Sequence, residues 1–432
     1  NKTVTIPAVK VADGVISTSE MVEQTLSSAT PANGDDAFQR IIKEKHDANI
    51  MFLIQQANVR AGELKTAKEF NEEVKNVDGA VNKKISNIEV SAYASPDGGV
   101  SLNTTLAENR EDNTTKMLSK DLKKAKIDAP IDAKYTAQDW EGFQELVSKS
   151  NIQDKELILR VIAMYQDPAQ RESEIKNISA VYKELANTIL PQLRRSRLTL
   201  NYEIIGKSDE EITKLASSNP SELNVEELLY AATLTSDPAK QEAIYTQATK
   251  QFPNDYRGYN NLGKLAYQAG NIDKAESYFK KAASVNATPE VNMNLGLVSL
   301  MKGDKTAAEA YFGKAAGTKE LGESMGNLYI AQGQYERAVN SFGDSKTNSA
   351  ALAQILAKDY NKAKNTLANV ERPDAYTDYL MAVLGARTNN SSMVTSSLKS
   401  AVAKDSSLAK KAATDLEFAK YFTNADFMSI VK

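Results

Sequence analysis

The residue types that most often carry out covalent or metal chemistry are scarce in this chain. It contains no cysteine and a single histidine, His46. The absence of cysteine excludes disulfides, thiol catalysis, iron–sulfur clusters and thiolate zinc sites, and one histidine cannot form a histidine-cluster metal site. His46 follows Glu44 and Lys45 in a charged stretch, which predicts a surface residue rather than a catalytic base.

The acidic and glycine-rich motifs have structural interpretations. Residues 209–211 (DEE) stand at a predicted helix start, where acidic side chains interact favourably with the helix dipole. Residues 98–99 (GG) predict a turn, and neither a P-loop nor a G-x-G-x-x-G motif occurs. A hydrolase site that uses Asp139 or Glu141 is the least favoured alternative, because no nucleophile, base and oxyanion donor come together. The sequence therefore predicts a non-enzymatic protein without a cofactor or metal.

Composition and charge narrow the class of protein further. The 432 residues include 53 Lys and Arg against 56 Asp and Glu, for a net charge of −3. This balance argues against a nucleic-acid partner, which would need a basic face. No apolar run reaches the ~18 residues of a membrane span, so no transmembrane segment is predicted. The chain begins at Asn1 without a Met and is interpreted as a processed or truncated product, so a missing signal peptide says nothing about location.

The first half of the chain alternates predicted strands and helices. Alternating apolar residues predict strands within 48–59 and at 85–93, 131–135 and 194–205, and helical spacing predicts helices over 64–77 and 102–126. This order predicts an α+β domain over residues 37–207 that contains a parallel strand pair with a helical crossover. Residues 138–192 are predicted as a helical insertion. Residues 1–36 are predicted as residual strands of an upstream domain plus a linker, with one helical turn near 21–26.

From residue 208 onward the sequence reads as helix pairs with an internal repeat. Leu262-Gly263, Leu295-Gly296 and Met325-Gly326 recur at spacings of 33 and 30 residues, and similar small and aromatic residues follow each of them. The pattern resembles the tetratricopeptide repeat, a helix pair of ~34 residues that stacks into an α-solenoid. The resemblance implies about six helix pairs over 208–432 with a C-terminal cap. In each pair, small residues such as Gly263 allow close helix packing, and Phe279 is expected to fill the gap to the next unit.

The resemblance also implies a binding surface. Such arrays expose a concave groove that binds peptides or partner domains. By analogy with the family, the groove is lined by first-helix positions: Asn260, Asn261, Lys264, Tyr267, Asn294 and Asn327. The alternative is that these side chains are solvated or cap local backbone.

Residues 48–136 resemble the OmpA-like domain, the peptidoglycan-associated fold of Gram-negative envelopes. The closest stretch is SAYASPDGGVSLNTTLAENRED, in which Asn103, Leu106 and Arg110 fit the family signature N-x-x-L-S-x-x-R with Ala in the Ser position. In the family, this Arg and a preceding Asp hold the carboxylate and amine of diaminopimelate. Here Ser95 occupies the Asp position and Asp97 lies two residues away. The alternative is that Arg110 forms a helix-surface ion pair with a nearby acid.

The combination resembles cell-envelope lipoproteins of the Bacteroidales, which join an OmpA-like domain to a tetratricopeptide array. It implies a location on the periplasmic side of, or attached to, the outer membrane, with a lipid anchor on a part of the protein upstream of Asn1. Two functions follow as expectations. The first is an envelope scaffold that binds a protein partner in the repeat groove, in outer-membrane assembly or secretion. The second is a peptidoglycan anchor that uses Arg110.

Overall fold

The computed structural model of the chain describes residues 18–26 and 29–432, with the backbone alone at residues 179–181. The chain divides into two compact units. One comprises Gln39–Ser208, and the other joins Asp209–Lys432 to the described residues up to Phe38. The sequence pattern predicts these boundaries at 36/37 and 207/208. The strands predicted within residues 1–16 lie outside the described residues.

The N-terminal segment is not the exposed linker that its composition predicted. A 3₁₀ turn at Thr18–Met21 leads into helix α1 (Val22–Leu26), where the sequence predicted a helical turn. Residues 29–39 then have no regular secondary structure. Met21, Leu26 and Ala32 are 1–2% exposed, because they pack in the hydrophobic cores of the unit that contains the repeats. Burial of these apolar side chains makes the segment part of that unit.

Four strands form the mixed sheet of the 39–208 unit. They are β1 (Ile41–Met51), β2 (Lys83–Tyr93), β3 (Ile131–Thr136) and β4 (Arg195–Ile205), in the spatial order β1-β4-β2-β3. β4 is antiparallel to both β1 and β2, whereas β2 and β3 are parallel. The prediction for β1 was wrong in position, since the strand starts seven residues before residue 48 and ends at Met51. Its first seven residues are exposed, so backbone pairing with β4, rather than an apolar pattern, defines this edge strand.

Two helices cover one face of the sheet and position the predicted wall-binding residues. They are α2 (Leu64–Asp78), preceded by a 3₁₀ turn at Ala61–Glu63, and α3 (Val100–Ala125). α3 is the crossover between the parallel strands, as the β-α-β order predicted. Phe70 and Val74 of α2 pack with Leu118 of α3 against Val90 and Leu200 of the sheet. The long α3 therefore runs across the core, and its inward face carries Arg110.

The insertion between β3 and β4 has its own hydrophobic core. It contains α4 (Trp140–Lys149), α5 (Lys155–Met164), α6 (Pro168–Asn177), α7 (Ser179–Thr188) and a 3₁₀ turn at Leu190–Leu193. Phe143, Ile158 and Leu185 are 0–2% exposed in this core. Asp139 caps α4 by accepting from the Gly142 N–H at 2.9 Å and pairs with Arg195 at 2.9 Å. These partners give Asp139 a structural role in place of the hydrolytic role weighed above.

The remainder of the chain is a stack of helix pairs. After α8 (Asp209–Ser218) and a 3₁₀ turn (Pro220–Glu222), six pairs follow: α9/α10 (Val225–Thr233, Pro238–Gln251), α11/α12 (Tyr256–Gln268, Ile272–Val285), α13/α14 (Pro289–Met301, Lys305–Phe312), α15/α16 (Leu321–Ala331, Tyr335–Phe342), α17/α18 (Asn348–Leu356, Tyr360–Ala368) and α19/α20 (Ala375–Arg387, Ser391–Lys404). α21 (Ser407–Ala412), a 3₁₀ helix (Leu416–Tyr421) and α22 (Ala425–Val431) complete it. Among the helices described, none is both long and apolar enough to cross a membrane.

A glycine–phenylalanine contact explains the repeat signature. A Cβ atom added at Gly263 would lie 2.5 Å from the Phe279 ring, and one added at Gly296 would lie 2.4 Å from the Phe312 ring. Each glycine therefore leaves the space that the phenylalanine sixteen residues later fills in the same helix pair. The Phe279 ring lies against Gly263 of its own pair, and Phe279 also belongs to a hydrophobic core that includes Val291 and Leu295 of the next pair. Its place in that core agrees with the expectation that it fills the gap to the next unit.

Candidate functional site

Three asparagines on first helices of the array form one buried amide cluster. Asn260 and Asn261 lie on α11 and Asn294 lies on α13, and all three are at most 1% exposed. The Asn260 Oδ1 accepts from Asn294 Nδ2 at 2.9 Å, and the Asn260 Nδ2 donates to Asn261 Oδ1 at 3.2 Å. A side-chain amide offers both a donor and an acceptor. This amide cluster therefore has the groups needed to bind both polar atoms of a peptide unit.

The amide cluster binds the backbone of the chain's own N-terminal segment at Ala32. The Ala32 N–H donates to Asn294 Oδ1 at 2.7 Å, and the Ala32 carbonyl accepts from Asn294 Nδ2 at 2.8 Å. Asn260 Nδ2 donates to the same carbonyl at 3.1 Å. Asn294 thus binds Ala32 as a neighbouring β-strand would, with one donor and one acceptor.

Gly34 is bound in the same way by the third amide. Its N–H donates to Asn261 Oδ1 at 2.7 Å, and its carbonyl accepts from Asn261 Nδ2 at 2.9 Å. Residues two apart in an extended chain face the same side, so Ala32 and Gly34 both face the amide cluster. The recognition uses only main-chain atoms of the segment.

An ion cluster lies beside the end of this segment. Arg257 donates to the Asp35 carbonyl at 3.2 Å and pairs with Glu226 and Asp255 at 2.7 Å. The Ala37 N–H donates to Glu226 Oε2 at 2.6 Å. The hydrogen bond from Arg257 is the main cause that lowers the pKa of Glu226 below its usual value. The ion cluster therefore holds the chain where it leaves the amide cluster.

The other groove residues predicted from sequence divide into two kinds. Lys264 Nζ lies 3.4 Å from Asn33 Oδ1, and Tyr267 donates its hydroxyl to the Leu26 carbonyl at 3.1 Å. Burial lowers the pKa of Lys264 and raises that of Tyr267. Asn327 is fully buried and donates to the Glu323 carbonyl of its own helix at 3.1 Å. Five of the six predicted positions therefore contact the N-terminal segment, whereas the hydrogen bond of Asn327 is made within its own helix.

Sequence reasoning missed both the occupant of the groove and the ion cluster. The occupant offers main-chain atoms, which every residue type carries. Arg257 and Glu226 sit on different repeats, and no spacing rule of the family links them. The D-x-R order of Asp255 and Arg257 was the one available local signal, since Asp255 caps α11 by accepting from the Arg257 N–H at 2.9 Å.

The predicted wall-binding residues lie together in the other unit, but Arg110 has backbone partners. Its guanidinium donates to the carbonyls of Gln56 at 2.9 Å, Tyr93 at 2.8 Å and Leu53 at 3.2 Å. The residue is 0% exposed and lies over the Phe52 ring at 5.0 Å. Burial lowers the Arg110 pKa to about 10, and the positive charge of nearby Arg194 contributes to the shift.

The alternative prediction of a surface ion pair for Arg110 is wrong, because the side chain points into the core of its unit. The acids next to it on α3 have other partners. Asp112 pairs with Lys116, and Glu111 accepts from the Thr115 hydroxyl at 3.0 Å.

Ser95, Asp97 and Asn103 shape a turn next to Arg110. Asn103 Nδ2 donates to the Ser95 carbonyl at 3.0 Å and to the Gly98 carbonyl at 3.2 Å. Gly98 has φ of +125°, a conformation that favours glycine. The Ser95 hydroxyl donates to Asp97, whose other oxygen accepts from Arg194 at 3.3 Å. These internal contacts account for the three predicted residues and leave Asp97 paired with Arg194.

Within residues 18–26 and 29–432, no group of three His, Asp or Glu side chains is arranged to hold a metal ion.

The repeat pattern has a family match. Residues 237–289 and 261–320 match the tetratricopeptide repeat family. This part of the chain is a tetratricopeptide repeat array. The match covers the helix pairs that carry Arg257 and the amide cluster, and the sequence prediction of this repeat type is confirmed there.

A comparison with solved structures gave matches at low sequence identity. A tetratricopeptide repeat protein from Parabacteroides merdae is 15% identical, with 52% of this chain and 90% of that chain covered, at a TM-score of 0.37. PilW, described as a widely conserved type IV pilus biogenesis factor, is 16% identical over 52% and 98%, at 0.35. Yeast Tom70 is 11% identical over 84% and 82%, at 0.31. A comparison with curated proteins found no match.

Proposed function

We propose that this chain is a non-enzymatic adaptor of the bacterial cell envelope whose repeat array binds an extended segment of a protein partner. The observation that carries the proposal is the hydrogen bonding of Ala32 and Gly34 by Asn294 and Asn261. These four contacts use side-chain amides to bind peptide backbone. A protein that binds peptide backbone in this way can act on a partner without catalysis, which is the general role of tetratricopeptide arrays.

The envelope location rests on the resemblance of the 39–208 unit to the OmpA-like domain. The stretch 91–112 resembles the family signature, with Ala107 in the Ser position, and the unit has the β-α-β-α-β order that this resemblance implies. In this proposal the unit localises the protein at the periplasmic side of the outer membrane, with a lipid anchor upstream of Asn1. The partner then belongs to the same compartment, in outer-membrane assembly or secretion.

Peptidoglycan binding through Arg110 stays a prediction of the resemblance, and the contacts of the residue do not favour it as a second function. A guanidinium that binds a carboxylate needs N–H groups directed at the ligand. Here one N–H on each guanidinium nitrogen is directed at a backbone carbonyl, and the residue is 0% exposed.

Site-specific photo-crosslinking in the host cell tests the proposal. A photoreactive amino acid at Gln268, an exposed residue at the end of α11 beside Ala29 and Thr30, reports on the groove. The same amino acid at Ser277, exposed on the second helix of that pair, is the matched control. We expect a discrete crosslinked envelope protein from position 268 that is absent from position 277. Equal crosslinking at both positions, or none at 268, would count against a partner in the groove.

A further inference from the structure

The bound N-terminal segment is made of small residues where it faces the array. Ala29 and Ala32 are 8% and 1% exposed, and Pro31 and Gly34 are also buried. Asn33 and Asp35, which alternate with them, are more exposed. The array thus leaves less space beside Ala32 and Gly34 than beside Asn33 and Asp35.

Gly34 is needed for space rather than for backbone conformation. A Cβ atom added at this residue would lie 2.9 Å from both Cβ and Cγ of Arg257. The φ angle of Gly34 lies outside the left-handed region, so its backbone is open to other residue types. The Arg257 side chain cannot easily move away from an added Cβ atom, because Glu226 and Asp255 bind its guanidinium. The array therefore excludes side chains at this one position.

The amide cluster contacts no side chain of the segment, and the side-chain contact beside it, from Lys264 to Asn33, is long at 3.4 Å. Most of the discrimination between peptides therefore comes from this size limit. Main-chain hydrogen bonds give affinity to every extended peptide, and pockets for alternate side chains give specificity. Here the pockets accept Ala at one position and only Gly two residues later. An extended peptide with the sequence Ala-x-Gly therefore fits the groove.

The segment is also tethered close to the groove. The Ala37 N–H bonds to Glu226, and the Phe38 ring stacks on Tyr230 with 4.4 Å between ring centroids. Tethered ligands act at effective concentrations of about 1 mM. A free peptide with the same contacts and a Kd of about 10 μM would then bind about 100-fold more weakly to the occupied groove.

We infer that residues 29–37 are an internal ligand of the groove, and that the partner segment which replaces them is an extended peptide with a small residue, any residue and then glycine. This inference rests on the proposed function and names both the partner's sequence class and the competitor that it displaces. The groove is closed to weak ligands while the segment is bound. A partner segment displaces residues 29–37 if it has a high affinity for the groove or a high local concentration.

The test uses the full chain and a fluorescent synthetic peptide of residues 29–37, with fluorescence anisotropy as the measurement. Gly34→Leu removes the internal ligand by steric conflict with Arg257. Ala37→Leu adds the same side chain at an exposed position of the segment and keeps the main-chain N–H that bonds to Glu226, so it is the matched control. Ala32→Arg is a second release variant, so that failure of one variant to fold leaves the other. Circular dichroism confirms folding, and hydrogen exchange of residues 29–37 confirms release.

We expect Gly34→Leu to bind the peptide about 100-fold more tightly than the wild type or Ala37→Leu. A peptide that carries Leu in place of its Gly should not bind to any variant. Three results would overturn the inference: release of the segment without peptide binding, equal binding by the wild type, or retention of the segment in Gly34→Leu. The assay contains no partner protein, so its failure is distinguishable from failure of the crosslinking that tests the proposed function.

Discussion

Replacement of Arg110 by methionine should destabilise the 39–208 unit strongly. Arg110→Met removes three donors from the carbonyls of Leu53, Gln56 and Tyr93 and keeps a long apolar stem over the Phe52 ring. A buried polar group left without its partner costs about 1–3 kcal/mol. Relief of the desolvated guanidinium charge offsets part of that sum. We therefore expect a net loss of about 3–5 kcal/mol in the free energy of unfolding.

Urea unfolding followed by tryptophan fluorescence measures this loss in the relevant unit. The chain has one tryptophan, Trp140, and it lies within residues 39–208. At an m-value of about 2 kcal/mol per molar urea, the midpoint should fall by about 2 M. The urea midpoint of Arg110→Lys should fall by nearly as much, because a lysine ammonium cannot reach the three carbonyls that the planar guanidinium binds at once. Arg160→Met, at an exposed helical position, is the control and should leave the midpoint unchanged.

The opposite outcome would refute the structural role of Arg110. If Arg110→Met left the urea midpoint unchanged but abolished co-sedimentation with purified peptidoglycan, the guanidinium would serve a ligand rather than backbone carbonyls. The resemblance to the wall-binding family would then describe the function of this residue.

Two further predictions concern the repeat unit. Gly296→Ala should lower the free energy of unfolding of this unit by about 1–3 kcal/mol despite the better helix propensity of alanine, because the new Cβ would lie 2.4 Å from the Phe312 ring. Thermal unfolding followed by circular dichroism measures this loss of stability. Adding Phe312→Leu to the variant should recover part of the loss. The lowered pKa of Glu226 means that its stabilising contribution is complete above the ordinary value of 4.5 and is lost as the pH falls through the lowered value. Glu226→Gln should therefore flatten the acid limb of the unfolding temperature against pH, and an unchanged limb would show that Arg257 does not stabilise the carboxylate.

The repeat array could be predicted from sequence because its determinants are local. Gly263 and Phe279 lie sixteen residues apart in one helix pair, and the same spacing recurs at Gly296 and Phe312. A fixed spacing of small and large residues is visible in the sequence and identifies the unit. Three of the four strands could also be predicted from their apolar alternation. The position of β1 could not, because this exposed edge strand lacks such alternation.

The occupant of the groove could not be predicted, because its recognition is both distant and independent of side chains. Ala32 and Asn294 are 262 positions apart, and the atoms that Ala32 contributes are present in every residue. Its neighbours Pro31, Asn33 and Gly34 are typical of turns and linkers, and this composition favoured the wrong interpretation.

The contacts of Arg110 escaped prediction for the same reason. The signature placed Asn103 and Arg110 on one helix, and both lie on the buried face of α3, with Asn103 bonded to the 95–98 turn. The acceptors of Arg110 are the carbonyls of Leu53, Gln56 and Tyr93, and their side chains carry no mark of that role. Sequence showed where the arginine sits, and only the three-dimensional contacts showed what it binds.

Residue-resolved amide hydrogen exchange of the full chain is the most direct test of whether the amide cluster binds peptide backbone. The claim is that Asn294 and Asn261 bind the backbone of an extended peptide, and each makes two hydrogen bonds to its residue. At about 1 kcal/mol per bond, Asn294→Ala should reduce protection of the Ala32 amide about 30-fold, with a smaller change at Gly34, and Asn261→Ala should show the reverse preference. Exchange of both amides at unprotected rates in the wild type would contradict the account.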